Sequence, residues 1–165
     1  MKDKIDHLCS VLEEEIEVHK ALLSLLLEER KFLTAANLEE LDKNLKKQEK
    51  IFSQVDLLEN QRLEILQVFL KEIYGDSWET ITVDELFSRL EDSDRLTKLR
   101  LELKEKIRDI MKINRSNNFL IKNGLTFIEK NIETFFGSDE KEKLYNPRKD
   151  KNQKKQVKNL INWKV

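Results

Sequence analysis

The 165-residue chain carries 31 Lys and Arg residues against 32 Asp and Glu residues, for a formal net charge of −1, and has only three Gly and one Pro. Such a highly charged chain with so few residues that break helices is typical of long amphipathic helices, and it excludes most catalytic architectures. The single cysteine cannot form an internal disulfide, and no apolar run approaches the length of a membrane span. These features predict a soluble cytoplasmic protein without a transmembrane segment.

Apolar residues that recur every three or four positions predict helices along most of the chain. Asn37 and Thr82 each precede a Glu by three residues, the arrangement that caps the first backbone N–H groups of a helix. Gly75 and Gly137 fall where helices are expected to end. The predicted helices cover about residues 3–36, 38–73, 83–91 and 94–136. Residues 1–137 are therefore expected to form one all-α domain, an elongated helical bundle or an antiparallel coiled-coil-like hairpin.

The apolar stripe of the second predicted helix is interrupted by polar residues. It is apolar at both ends and polar around Gln48, Glu59 and Arg62. Neighbouring apolar residues take over locally in an alternative interpretation: Ile51, Leu58, Leu63 and Ile65. They would widen or rotate the buried stripe, and a wide stripe favours a bundle over a two-stranded coiled coil.

Residues suited to catalysis or metal binding are scarce. His7 and His19 are twelve positions apart, roughly 18 Å along a helix, so one chain cannot bring them to a shared metal ion. His19 lies on the apolar stripe and is interpreted as a packed or hydrogen-bonded residue, and Cys9 as a small buried hydrophobe. The carboxylates are expected to face solvent. We therefore predict no enzymatic activity, no catalytic, cofactor-binding or metal site, and no cofactor.

The last long helix carries polar residues on its apolar stripe. Asn114 and Asn117 either fix helix register through side-chain hydrogen bonds or face water at the edge of the stripe. Gly124 costs a helix interior about 1 kcal/mol relative to Ala, so a close backbone approach or a local bend is expected there. More apolar side chains follow than one seam requires: Leu125, Phe127, Ile128, Ile132, Phe135 and Phe136. Either a bundle covers this surplus or part of it binds a partner.

Residues 138–165 form a basic tail. Eight basic residues and one acidic residue, Asp150, lie between positions 143 and 165. The tail is expected to be partly disordered, with a short helix over 156–163. Lysines and arginines can bind phosphates, but the tail has one aromatic residue after Tyr145 and matches no nucleic-acid-binding module. A solvated tail is the commoner arrangement, so the sequence disfavours nucleic acid as a partner.

Several short motifs together resemble the FlgN family of flagellar export chaperones over most of residues 1–147. The motifs, in chain order, are Leu58-Glu59-x-Gln61-Arg62, Asn114-Arg115-Ser116-Asn117-Asn118-Phe119-Leu120-Ile121, Gly124-Leu125-Thr126-Phe127-Ile128 and Tyr145-Asn146-Pro147. The chain departs from the family after Pro147, where members often have glycine and this chain has Arg148-Lys149. The function of the tail is therefore the part that the resemblance transfers least well.

The resemblance implies a cytosolic chaperone that delivers hook-associated (hook–filament junction) proteins to the flagellar export apparatus. It implies that Tyr145 of this chain contacts the cytosolic domain of the export gate. It also implies that the C-terminal helical region binds an amphipathic helix of the client through Leu120, Leu125, Ile128, Ile132 and Phe135. Apolar residues at helical spacing suit such helix-in-groove recognition. Two alternatives remain: a coiled-coil scaffold that self-associates as a homodimer, and a nucleic-acid-binding protein that uses its basic tail.

Overall fold

The computed structural model describes residues 2–75, 81–90 and 93–136. Within these ranges the chain is all-α, and no strand is present. The helices are α1 (Lys2–Thr34), α2 (Leu38–Tyr74), α3 (Val83–Arg89) and α4 (Ser93–Phe136). The predicted end of the last helix at Gly137, Tyr145 and the tail with its predicted helix over 156–163 lie outside the described residues.

The helix ends follow the capping signals in the sequence. The Asn37 side chain accepts a hydrogen bond from the Glu40 backbone N–H at 3.2 Å, which begins α2. The first helix ends at Thr34, two residues before the predicted end, because Ala36 takes a left-handed conformation with φ 53°. The turn is therefore made without glycine, as predicted. Gly75, with φ 57°, ends α2, since its N–H bonds to the last turn of that helix.

The short helix α3 begins with a complete capping box. Thr82 Oγ1 accepts from the Glu85 backbone N–H at 3.3 Å, and the Glu85 carboxylate accepts from the Thr82 backbone N–H at 2.8 Å. The Thr82 backbone N–H and the Thr82 hydroxyl both donate to the Glu85 carboxylate, and these two bonds hold the pKa of that carboxyl below its usual value. The predicted start of this helix is confirmed.

Helix α1 packs against both other long helices. It runs antiparallel to α2, as shown by the contacting pairs Lys4–Glu72, Glu15–Arg62 and Glu29–Gln48. It runs parallel to α4, as shown by the pairs Glu13–Arg95, Lys20–Glu102 and Glu29–Asn117. Because α1 has neighbours on two sides, its buried surface is wider than a single stripe. Leu22 is fully buried, and its chain neighbour Leu23 is half-buried.

The apolar core is divided unequally along the bundle. The larger cluster lies where α1 begins and α3 folds against α4, and it contains Ile5, Leu8, Cys9, Leu12, Ile16, Leu66, Phe69, Leu86, Phe87, Leu90, Leu96 and Leu103. The smaller cluster, nearer the α1–α2 turn, has three fully buried members: Leu22, Leu26 and Ile110. Burial of apolar area is the main favourable term in folding. The end of the bundle at the α1–α2 turn therefore has less apolar stabilisation than the opposite end.

Helix α4 continues beyond the other two long helices. Glu29 of α1 is level with Asn117, and α1 ends five residues later at Thr34. Every residue of α4 from 121 to 130 is exposed. At 1.5 Å per residue, α4 extends about 20 Å past the end of α1. We call residues 121–136 the α4 extension.

In the described part of the chain, no helix combines the length and the apolar character that crossing a bilayer requires.

Candidate functional site

The five residues predicted to bind a client lie at or beyond the end of the bundle. Leu125, Ile128 and Phe135 are 40%, 54% and 79% exposed, whereas Leu120 and Ile132 are half-buried. We call this set the apolar stripe. From Leu125 onward its members recur every three or four residues, so they share one face of α4. That face continues the one that contacts α1 at Asn117.

Gly124 makes no close contact within the bundle. A Cβ atom built at this position would meet no other atom within 4 Å, and α4 continues through it as helix. The close backbone approach that the sequence suggested is therefore not made between the described residues. Nothing among the described residues requires glycine at this position.

A buried polar layer joins the three long helices just below the α4 extension. Asn117 Nδ2 donates to the Leu26 carbonyl oxygen at 2.8 Å and to Glu29 Oε2 at 3.1 Å. Gln48 Nε2 donates to the same Glu29 oxygen at 3.2 Å and to Asn44 Oδ1 at 2.7 Å. The Glu29 carboxylate thus connects α1 to both α2 and α4. A shift of any helix would leave buried polar groups without partners, so the layer fixes the register of the bundle.

Asn114 and Asn117, the two asparagines predicted to interrupt the buried face of α4, have different environments. Asn117 is buried in the polar layer, and its Oδ1 has no hydrogen-bond partner among the described residues. Asn114 is half-buried, and its Oδ1 accepts from Asn118 Nδ2 at 3.2 Å. Asn117 therefore has the geometry expected of a residue that fixes the helix register through hydrogen bonds, whereas Asn114 lies at the edge of the buried face of α4.

A second buried polar site lies near the middle of α1. Arg62 Nε donates to both carboxylate oxygens of Glu15, at 3.1 and 2.9 Å, and Arg62 Nη2 is 3.7 Å from Glu59. Burial raises the pKa of the Glu15 carboxyl, although the Arg62 guanidinium opposes that shift. The Glu59 and Arg62 of the FlgN-like motif therefore contribute to a buried ion network between α1 and α2.

The expectation that the carboxylates face solvent is wrong for Glu15 and Glu29, which are both buried. Glu15 is the last residue of a three-glutamate run and follows the buried Leu12 by three positions. Helical spacing therefore brings it to the buried face, and Arg62 on the stripe of α2 is the cation that it meets. The polar positions at Gln48, Glu59 and Arg62 were the sequence signal for these two sites.

His19 packs beside the Glu15–Arg62 pair. Its Nδ1 donates to the Glu15 backbone carbonyl oxygen at 2.7 Å, and burial lowers the pKa of the imidazole. The interpretation of His19 as a packed, hydrogen-bonded residue is confirmed, as is that of Cys9 as a buried hydrophobe. Within the described ranges, no group of three or more potential ligands is placed to hold a metal ion.

We predict that His19 makes the stability of the bundle fall on acidification. Its folded-state pKa lies below the unfolded value near 6.5, so the unfolded chain binds the proton more readily. The contribution of His19 is complete above that pH and is lost as the pH falls from about 7 towards the lower folded-state pKa. One proton sets a limiting slope of about 1.4 kcal/mol per pH unit.

Urea unfolding at pH 7.5, 6.5 and 5.5, for the wild type and for His19→Gln, measures this effect. The raised pKa of Glu15 acts in the opposite sense but is present in both proteins. The wild type should lose stability relative to the variant as the pH falls. Parallel stability curves for the two proteins would contradict the prediction.

A protein-family model described as FlgN protein matches residues 1–153 of the chain. The matched range includes all four helices, both buried polar sites and the apolar stripe. Searches of curated proteins and of solved structures found no match.

Proposed function

Since the chain belongs to the FlgN family, we propose that it binds the C-terminal amphipathic helix of a hook–filament junction protein on its apolar stripe. The family is one of flagellar export chaperones rather than of enzymes, which supports a chaperone function in general. The finer proposal concerns the client and the surface that holds it. The chaperone would act in the cytoplasm, where it would keep the client from assembling before export.

The exposed apolar stripe of the α4 extension is the observation that carries this proposal. Leu125, Ile128 and Phe135 remain accessible because the helices that cover the same face of α4 earlier in the chain have ended. An amphipathic client helix would lie along this face of α4, in the space beyond the C-terminal end of α1. Full burial of each such side chain is worth about 1.5–3 kcal/mol.

The expected affinity is lower than the buried area alone suggests. A client segment that folds on binding loses conformational entropy, which costs about 2–5 kcal/mol of the gross interaction. A complex of this kind can be stable in the cytoplasm and still release its client at the export apparatus. For the delivery step we propose Tyr145, which follows the described residues, as the contact with the cytosolic domain of the export gate.

Replacement of Leu125 and Ile132 by Asp tests the client surface. The double variant places two carboxylates at the centre of the apolar stripe, and each would have to be desolvated against an apolar client side chain. We expect client binding to be lost, whereas helicity should be retained because residues near 125 make no core contacts. Isothermal titration with the C-terminal peptide of a hook–filament junction protein measures binding, and circular dichroism measures helicity.

Leu57→Asp with Val68→Asp is the matched control, because both residues are exposed apolar positions on α2. This variant carries the same change of charge and hydrophobicity away from the stripe, and it should bind the peptide as the wild type does. Wild-type affinity in the Leu125/Ile132 variant would refute the surface assignment. Equal loss in both variants would show that the effect is not specific to the stripe.

Self-association through the same apolar stripe is the rival function, since a second copy could also cover it. Sedimentation of the client-free protein at several concentrations separates the two. A tight dimer that does not dissociate when the client peptide is added would favour the scaffold.

A further inference from the structure

The outer face of α4 carries a line of basic side chains. They follow at intervals of four, four, three and seven residues: Lys104, Arg108, Lys112, Arg115 and Lys122. We call this set the basic stripe. Helical spacing puts it on the side opposite the buried Leu103, Ile110 and Asn117, and all members except the half-buried Lys104 are exposed. At 1.5 Å per residue it is about 27 Å long.

The cations of the basic stripe have no partners among the described residues. None of the five makes an ion pair or a side-chain hydrogen bond there. Two exposed lysines on α2 are placed differently: Lys43 pairs with Glu39 at 2.8 Å, and Lys46 pairs with Asp42 at 2.6 Å. Lys47 and Lys50 of α2 are exposed without such an ion pair among the described residues, so the basic stripe is distinguished by the alignment of five such cations along one helix.

The spacing of the basic stripe also works against the helix that carries it. Lys104, Arg108 and Lys112 are separated by four residues each, and like charges at that spacing destabilise a helix by about 0.2–0.5 kcal/mol per pair. Glu105, three residues before Arg108, is an exposed carboxylate on the same side, but it makes no ion pair with the basic stripe in the described structure. The cost is reversed when carboxylates from another molecule lie along the stripe.

An exposed aromatic residue lies within the basic stripe. Phe119 is four residues after Arg115 and three before Lys122, and it is 64% exposed. Aromatic residues and arginine are enriched in protein interfaces and supply most of their binding energy. A nucleic acid would be expected to meet several stacking aromatics along this length. A membrane surface would require a continuous apolar face, and a single Phe does not provide one.

We propose that the outer face of α4 is a docking surface for an acidic segment of another protein, with Phe119 as its apolar anchor. Most of this surface lies on the side of α4 away from the apolar stripe, and Lys122, three residues before Leu125, borders that stripe. Both surfaces can therefore be occupied at the same time. The proposal does not depend on the identity of the client. It gives the chaperone a second protein contact that remains available while a client is bound.

The test uses a fluorescein-labelled helical peptide of 24 residues, with glutamates along one side and one leucine among them. Arg108→Glu with Arg115→Glu should weaken binding at least about tenfold, because two charge-assisted contacts become repulsive. Phe119→Ala should weaken it several-fold without changing the charge. Lys47→Glu with Lys50→Glu on α2 is the matched charge control, because both lysines are exposed and make no ion pair among the described residues. It should change the affinity less than about twofold, since charges away from the site act only through screened long-range attraction.

Three results would overturn the proposal. The first is an unchanged affinity for the peptide in the Arg108/Arg115 variant. The second is an equal loss in the α2 control, which would indicate non-specific attraction. The third is that a 24-nucleotide single-stranded RNA, or vesicles containing anionic lipid, bind more tightly than the peptide does, and that Phe119→Ala leaves this binding unchanged. Circular dichroism of each variant verifies that the helices remain folded.

Discussion

Replacement of Arg62 by Met is expected to destabilise the bundle by about 3–5 kcal/mol at neutral pH, because it leaves the Glu15 carboxylate buried without its partner. The guanidinium contacts both oxygens of that carboxylate, and the two side chains are nearly inaccessible to water. Burial already raises the pKa of Glu15, and loss of Arg62 removes the group that opposes this shift. The penalty should therefore decrease at lower pH, where Glu15 can fold in its neutral form.

Urea unfolding of Arg62→Met and of the double variant Glu15→Leu/Arg62→Met measures this effect. Replacing both members of a buried ion pair by apolar residues is often close to neutral, so the double variant should recover most of the loss. A single variant that costs less than about 1 kcal/mol would show that the pair is solvated in solution. A double variant no more stable than the single one would show that the introduced methionine disturbs packing, with little contribution from charge.

Replacement of Asn117 by Asp is expected to detach the middle of α4 from the bundle. The change removes the two hydrogen bonds that Asn117 Nδ2 donates in the wild type. It puts a second carboxylate beside Glu29, whose Oε2 accepts from Asn117 Nδ2 at 3.1 Å in the wild type. A buried charge without a partner costs about 3 kcal/mol or more. Among the described residues, the smaller apolar cluster around Leu22, Leu26 and Ile110 is the apolar contact that opposes local opening at this end.

Hydrogen exchange with a readout for each segment measures this second effect. Protection should fall in α4 around residues 110–120, whereas the segments around the larger cluster should keep theirs, because partial opening is cheaper than global unfolding. Asn114→Asp is the matched control, since Asn114 is half-buried and its side chain hydrogen-bonds only to Asn118 among the described residues. Equal loss of protection in both variants would contradict the role assigned to the polar layer.

Local signals in the sequence predicted the helices and the turns between them well. Asn37 and Thr82 cap helices through bonds that span three residues, so the information that determines them lies within one turn of chain. The all-α class is confirmed by the described structure, and the FlgN resemblance by the family match. The match extends to residue 153, so it includes the Tyr145-Asn146-Pro147 element as well.

Contacts between distant parts of the chain were harder to predict. Burial of Glu15 depends on Arg62, 47 positions later, and burial of Glu29 depends on Asn117, 88 positions later. No pattern in one helix specifies which neighbour it meets. The position of α1 between two helices makes its buried face wider than a single stripe, and Leu22 is part of the core as a result.

The exposure of the apolar stripe depends on relative helix positions that the sequence does not show. The surplus of apolar residues after Gly124 was visible, but both a covering bundle and a partner surface could explain it. In the described structure, the level of Asn117 against Glu29 determines where α1 ends along α4, so none of the described helices covers this surplus. Leu125, Ile128 and Phe135 are therefore accessible in the described structure.

Hydrogen exchange of the chaperone with and without the C-terminal peptide of a hook–filament junction protein tests the central claim most directly. A client helix on the apolar stripe should slow the exchange of α4 amides between residues 121 and 135, because binding suppresses opening of the projecting helix. Amides of α2 should be largely unaffected. Slowed exchange in α1 or α2, with no change between residues 121 and 135, would contradict the assignment of the α4 extension as the client-binding surface.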